Sequence, residues 1–336
     1  MKTLSVRVFL SFVVVLFMGN SLSAQSYNAF FLGSGRQTYV LGVNNSGMSV
    51  GRKGISYSAA LLWAPNGTVH DLGNLGGKYA EALAINNLGQ VVGDSSLAGN
   101  SVYHAFLWTP NGGMQDLGSL GGQNSFAYAI NDNTQVVGEF RGTVAHAFLW
   151  TQAGGLQDLG TLGGSASRAN GINAAGHIVG SSSLSNGSQG AFFWTAQEGM
   201  KQIDLGQTTF AQALAINDSD QVVGFFVNPN DSQNHGFLWS PTTGMHDLGT
   251  LPGGSSSASL AQAINNSGDV VGIGVVWKAG MPTGKSASVI WSHGGTIKKL
   301  GQLVVPKMGL PNGATGINAS GQIVANGGGA YLLTPR

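Results

Sequence analysis

ALAINNLGQVVGDSSLAGNSVYHAFLWTPNGGMQDLGSLGG, residues 82–122, holds four short motifs in fixed order. The first is A-x-A-I-N, ending at Asn86. The second is VVG, 91–93. The third is HAFLW, 104–108. The fourth is M-Q-D-L-G, 114–118, running into a Leu-Gly-Gly loop. Each reads as a strand. In HAFLW, His, Phe and Trp alternate with Ala and Leu, the period of two that sends alternate side chains to opposite faces of a sheet. Asn-x-x-Gly separates the first two motifs, and Pro-Asn-Gly-Gly separates the third from the fourth. Asn and Gly accept the positive φ that tight hairpins demand. The stretch therefore predicts four consecutive antiparallel strands.

The same unit recurs along the chain. The asparagine ending the first motif is Asn44, Asn86, Asn131, Asn173, Asn217, Asn265 and Asn318, at spacings of 42, 45, 42, 44, 48 and 53 residues. The third motif ends in Trp63, Trp108, Trp150, Trp194, Trp239 and Trp291, and in Leu333 in the last copy. A period of roughly 40–50 residues suits a four-stranded propeller blade. The last copy supplies only three motifs. Before the first copy lies an orphan strand, 28–33, whose Leu32-Gly33 stands upstream of Asn44 as Leu117-Gly118 stands upstream of Asn131. Counted together, each strand type occurs seven times. The expected fold is all-β: a seven-bladed propeller of four-stranded antiparallel blades, closed by pairing the N-terminal strand with the C-terminal three. Closure removes the exposed edges an open array would leave. The small residues of A-x-A place the first strand innermost, where the ring is most crowded.

The strings HAFLW, 116–122 (DLGSLGG) and 129–138 (AINDNTQVVG) resemble the HAF family of extracellular repeats, across essentially all of the chain after residue 24. The resemblance implies export and a repeat architecture, and assigns no chemistry. Some copies depart from it. The His position is Ala59, Gly190, Ala287 and Gly329 in four repeats, and the Asp position is Lys299 in the sixth and Phe31 in the closing strand.

Residues 1–24 read as a secretory signal: Lys2 and Arg7, an apolar run over 8–18, then Ser21, Ser23 and Ala24. The run is short of the roughly 18 residues of a spanning helix. Residues 25–336 form one propeller domain with no membrane contact after cleavage. The chain has no cysteine, which excludes disulfides, thiolate metal sites and a cysteine nucleophile. Without Lys2 and Arg7 the formal charge falls from +1 to −1, and only 9% of residues are charged. With no basic stripe, nucleic acid is not an expected partner.

The residues that could carry chemistry fit structural roles. His104, His146 and His235 sit in different repeats, too far apart to share a metal. The expectation is that each pairs within its blade with the fourth-motif aspartate, as His104 with Asp116. Only three glutamates occur, Glu81, Glu139 and Glu198, and none lies on a motif position. Glu81 and Glu139 are assigned to loops of one face. There is no zinc-type His-Glu-x-x-His and no Gly-x-Ser-x-Gly elbow. The Asn/Asp/Ser runs 217–220 and 230–232 lack a calcium loop's spaced acidic set and distal Glu, and read as turns. No metal or cofactor is expected.

Function is expected on the varied loops of a rigid scaffold. The second-to-third connections, read as 52–57, 94–103, 139–145, 181–189, 225–234 and 273–286, vary most. They open on the same face as the fourth-to-first loops. The longest carries Trp277, the only tryptophan off the repeat position, with Lys278 and Lys285. Tyr57, Tyr79, Tyr103, Phe126, Arg141 and Arg168 belong to the same face. The candidate ligand-binding set is Trp277, Lys278, Lys285, Tyr57, Tyr79, Tyr103 and Arg141, with no catalytic residue assigned. The expected function is a secreted, monomeric, non-catalytic binding or scaffold protein of the cell envelope or matrix. Its expected partner is extracellular polysaccharide or protein. The alternative is a secreted propeller enzyme acting on polysaccharide or another extracellular substrate, for which two or three acid, base or His groups would have to meet in one pocket.

Overall fold

The computed structural model describes residues 25–34, 37–55, 57–254, 256–278, 284–310 and 312–336. The signal segment read from 1–24 lies outside them. Seven four-stranded antiparallel sheets form a ring. Blade 1 comprises Thr38–Val43, Ser49–Lys53, Ala59–Trp63 and Val69–Asp71. Blade 2 comprises Gly76–Ile85, Val91–Leu97, Tyr103–Thr109 and Gly113–Asp116. Blades 3 to 6 repeat the order, starting at Asn124–Ile130, Gly163–Ile172, Ala211–Ile216 and Ser256–Ile264. In blade 7 the three C-terminal strands, Ala314–Ile317, Ile323–Asn326 and Gly329–Pro335, are completed on the outer edge by Tyr27–Ser34. Phe30 pairs with Leu332 and Tyr27 with Pro335. The backbone of Tyr27 also exchanges bonds of 2.9 Å with Leu303 and Val305, which ties the closing strand to the linker between blades 6 and 7.

The hydrophobic pattern explains why the sheets stack as a ring. Each junction between blades holds one buried cluster. Between blades 2 and 3, for instance, Val92, Ala105, Leu107 and Leu117 meet Ala127, Ile130, Val136, Phe148 and Trp150. The junction of blades 7 and 1 joins Leu32, Val324, Ala330 and Leu332 to Val40, Leu61 and Trp63. Four of the repeat tryptophans, Trp63, Trp150, Trp194 and Trp291, are buried, while Trp108 and Trp239 are partly covered.

The first strands are innermost, and a closed belt of side chains links them. The amide nitrogen of Asn44 donates to the carbonyl of Asn86, Asn86 to Asn131, Asn131 to Asn173, Asn173 to Asn217, Asn217 to Asn265, Asn265 to Asn318, and Asn318 back to Asn44, at 2.8–3.2 Å. Each side-chain oxygen accepts N–H groups of its own turn, as Asn131 does from Asn133 and Gln135. The motif asparagines thus do more than tolerate a turn. They satisfy buried backbone groups of the next blade, which would otherwise be left without partners.

Every first strand carries a β-bulge at the x of A-x-A, as between Ala82 and Ala84 or Ala127 and Ala129. The bulge presses the first strand onto the second, and this explains the glycine of VVG. A Cβ at Gly138 would lie 1.8 Å from the carbonyl oxygen of Phe126. A bulge also re-aims the extra side chain. Leu83 and Tyr128 occupy this position and line one mouth of the central channel.

Candidate binding cleft

Two repeat positions flank the constant motifs: the residue before A-x-A and the residue after VVG. They face each other across the first two strands of each blade. The pairs are Tyr39 with Arg52, Glu81 with Asp94, Phe126 with Glu139, Arg168 with Ser181, Gln212 with Phe225, and Leu260 with Ile273. In blades 1 to 4 these positions are aromatic or charged, except for Ser181. In blades 5 and 6 they are mostly apolar. The channel mouth is therefore polar and aromatic on one side only. There Tyr79, Glu81, Leu83, Asp94, Tyr103, Phe126, Tyr128, Arg141 and Arg168 line an open cleft of about 490 Å³, a size ordinary for small-ligand sites.

The floor is built from rings and guanidinium planes. Tyr79 meets Tyr103 edge to face at 5.6 Å, and Tyr103 lies nearly parallel to Phe126 at 6.5 Å. The guanidinium of Arg141 sits 4.6 Å above Phe126, that of Arg168 3.8 Å above Tyr128, and that of Arg52 4.7 Å above Tyr39. Such cation–π placement holds charge on an apolar platform. Two carboxylates are fixed among them. Glu81 accepts from Arg52 Nε and from the Tyr79 hydroxyl, both at 2.7 Å. Glu139, 4% exposed, accepts from the Tyr128 hydroxyl at 2.7 Å and from Arg141 Nε at 3.0 Å.

Asp94 differs from both. It is 5% exposed and lines the cleft, and its carboxyl makes no hydrogen bond with any described residue. Burial pushes its carboxyl up to about 7, and the neighbouring Glu81 adds to the shift against the opposing pull of Arg52 and Arg141. Burial likewise raises the Tyr79 and Tyr128 hydroxyls, so both stay protonated donors to their glutamates.

Of the residues singled out from sequence, Tyr79, Tyr103 and Arg141 meet in this cleft. Tyr57, 67% exposed, lies beside it in an adjoining groove with Ile55, Lys78, Tyr79, Asn100 and Tyr103. The Lys78 ammonium sits 5.0 Å over the Tyr57 ring. Trp277, Lys278 and Lys285 lie on blade 6, away from the cleft residues of blades 2 to 4. Trp277 packs along its own hairpin, where a Cβ on Gly284 would come within 2.8 Å of the indole. The expected connection 273–286 is shorter than read. The second strand runs on to Trp277 and the third begins at Lys285. Longer strands also correct the reading of Glu81, Glu139, Tyr79, Tyr103, Phe126, Arg141 and Arg168 as loop residues: all are in strands, Tyr79, Glu81, Phe126 and Arg168 in first strands, Glu139 and Arg141 in a second and Tyr103 in a third. In blades 2 to 6 the second strands run three to five positions past the glycine of VVG.

The predicted His–Asp pairs form in all three blades. His104 with Asp116, His146 with Asp158 and His235 with Asp247 are each 2.8 Å apart. Each aspartate also accepts the N–H of the glycine two residues on, as Asp116 from Gly118, and so starts the Leu-Gly-Gly turn. The aspartates of 217–220 are similarly taken up by blade-to-blade contacts. Asp218 accepts from Ala174 and Asn266, and Asp220 from Asn173 and His177.

No family model matches the chain, and no curated protein matches it. Solved structures do. The β-propeller domain of the Trilobed protease from Pyrococcus furiosus, described as having an open velcro topology, aligns with a TM-score of 0.54 at 11% identity, over 89% of this chain and 92% of that one. The acylaminoacyl peptidase of Pyrococcus horikoshii gives 0.54 at 9% identity, with 89% of this chain covering 52% of the peptidase. A puromycin hydrolase gives 0.53 at 12% identity, over 88% of this chain and 50% of that one. At these identities the likeness is one of fold: the chain is similar to the propellers of these proteins, and its own ring is closed by the N-terminal strand.

Proposed function

We propose that this is a secreted, non-catalytic propeller that binds extracellular polysaccharide through the cleft of blades 2 to 4. The observation that carries the reading is the cleft's composition. Flat aromatic faces at Tyr79, Tyr103 and Phe126 lie beside fixed hydrogen-bonding groups at Glu81, Asp94, Arg141 and Arg168. Sugar rings offer an apolar face to aromatic side chains and an edge of hydroxyls to polar ones, so the two kinds of surface together suit them. Export rests on the segment 1–24 and on the resemblance to extracellular repeats. Among the described residues no helix is long and apolar enough to cross a membrane.

The cleft also bears on the enzyme alternative, since acidic groups do converge in it. Hydrolysis of a glycoside needs an acid and a second carboxylate free to act as base or nucleophile. Glu81 and Glu139 are each held by an arginine and a tyrosine hydroxyl, which supports binding over catalysis. The test is a polysaccharide array probed with the purified chain, with product analysis, comparing Tyr103→Ala and Trp277→Ala. The expected result is retention on at least one polysaccharide without cleavage, weakened by ~1–3 kcal/mol in Tyr103→Ala. Retention lost only in Trp277→Ala would move the site to blade 6. Released oligosaccharide would establish the enzyme reading.

A further inference from the structure

We propose that the cleft is selective for uronate-bearing polysaccharide, with the sugar carboxylate held by Arg168 and the Asp94 carboxyl hydrogen-bonded to a hydroxyl of the same ligand. The inference rests on the carbohydrate-binding reading and names the class of sugar. Three guanidiniums reach this side of the ring, and two have acidic partners: Arg52 with Glu81, and Arg141 with Glu139. The Arg168 guanidinium sits 3.8 Å over the Tyr128 ring and, among the described residues, has no acidic partner. A guanidinium stacked on a ring keeps its N–H edge free, and that edge matches a carboxylate in a two-point contact. The second group is Asp94, 5% exposed, whose carboxyl opens on the cleft and makes no hydrogen bond with a described residue. A ligand seated in the cleft is within its reach. A ring bearing both hydroxyls and a carboxylate would complete Arg168 and Asp94 together while lying on Tyr103 and Phe126.

The charges set the direction of the pH effect. The groups around Asp94 are Glu81 and Tyr79 on its own blade, Arg52 from blade 1, and Arg141, Glu139 and Tyr128 from blade 3, with Arg168 of blade 4 across the cleft. With Asp94 protonated, the three arginines exceed the two glutamates by one charge and favour an anion. Above about pH 7 Asp94 becomes an anion itself. It then loses its donor and opposes the ligand's carboxylate, so affinity falls by up to tenfold per pH interval.

The experiment is calorimetric titration of the chain with oligogalacturonate and oligomannuronate, and with the carboxyl-reduced, neutral form of each, at pH 6 and pH 8. The acidic form of at least one pair should bind about tenfold or more tightly than its neutral form at pH 6, and less so at pH 8. Arg168→Gln should erase the preference. Asp94→Asn, which keeps a donor at every pH, should bind equally at both. Equal or tighter binding of the neutral forms, or binding of neutral array polysaccharides with neither uronate, overturns this inference and leaves the carbohydrate reading standing. No binding to any polysaccharide overturns both.

Discussion

Replacing Asp94 by Asn tests whether the cleft holds a buried acid, without any ligand. The change keeps the shape of the side chain and removes its titration. In the folded protein the carboxyl titrates at about 7, against 3.8 in the ordinary case, chiefly because it is buried. The folded state therefore binds this proton more tightly than the unfolded chain does. Its contribution to stability is full below pH 3.8 and is lost as pH rises through about 7. The whole shift is worth ~4 kcal/mol, and the part spent between pH 5 and pH 8.5 is ~2–3 kcal/mol. Urea unfolding of both proteins across that range reads the difference directly. The wild type should lose ~2–3 kcal/mol relative to Asp94→Asn as pH rises, with the two curves level above pH 8. Parallel pH profiles would show that the carboxyl is solvated and that the cleft wall is not as described.

Three further perturbations probe the ring. Trp150→Ala empties a site 6% exposed between blades 2 and 3 and should cost ~3–5 kcal/mol in chemical unfolding; an unchanged melting temperature would place the ring in solvent. Asn131→Ala removes the amide that reaches the Asn173 carbonyl at 2.9 Å and the acceptor for two turn N–H groups, and should cost ~2–4 kcal/mol in urea titration. A loss below ~0.5 kcal/mol would show that the belt is not continuous in solution. Deleting 25–33 should leave the strand Gly329–Pro335 as an open edge and remove Tyr27 and Leu32 from two junction cores, so that the ring melts earlier or aggregates. A monomeric truncation of equal stability, read by light scattering and calorimetry, would refute closure by the first strand.

The ring was readable because its parts repeat. Apolar alternation, turn glycines and the orphan strand before Asn44 point to the same count, and burial of the second strands on both faces leaves little room for another register. The His–Asp pairs were readable too, since their positions are fixed by the hairpin between the third and fourth strands. The cleft was less so. The sequence places Tyr79, Tyr103, Phe126, Arg141 and Arg168 on its face, and Asp94 only as the first residue of the connection 94–103. It does not mark Tyr128, and its loop reading of Glu81 and Glu139 misses their strands. Their meeting depends on geometry that no local pattern carries. The bulge in A-x-A turns Tyr128 into the channel, and curvature of the ring brings Arg52, Asp94 and Arg141 from three blades to one place. The signal lies in the variable residues beside constant ones: before A-x-A and after VVG, charged or aromatic at both positions in blades 1 to 3 and at one in blade 4, and mostly apolar in blades 5 and 6. Trp277 drew attention as the odd tryptophan, yet its strand continues past VVG, and the indole packs on its own hairpin.

Hydrogen–deuterium exchange tests the location of the site most directly. It is measured on the chain alone and with the polysaccharide it retains most strongly on the array. Binding in the cleft should slow exchange in Gly76–Ile85, Tyr103–Thr109, Asn124–Ile130 and Val136–Arg141, and leave Val270–Trp277 and Lys285–Trp291 unchanged. Protection confined to those two blade 6 strands, or to the asparagine turns at the opposite mouth of the channel, would contradict the account.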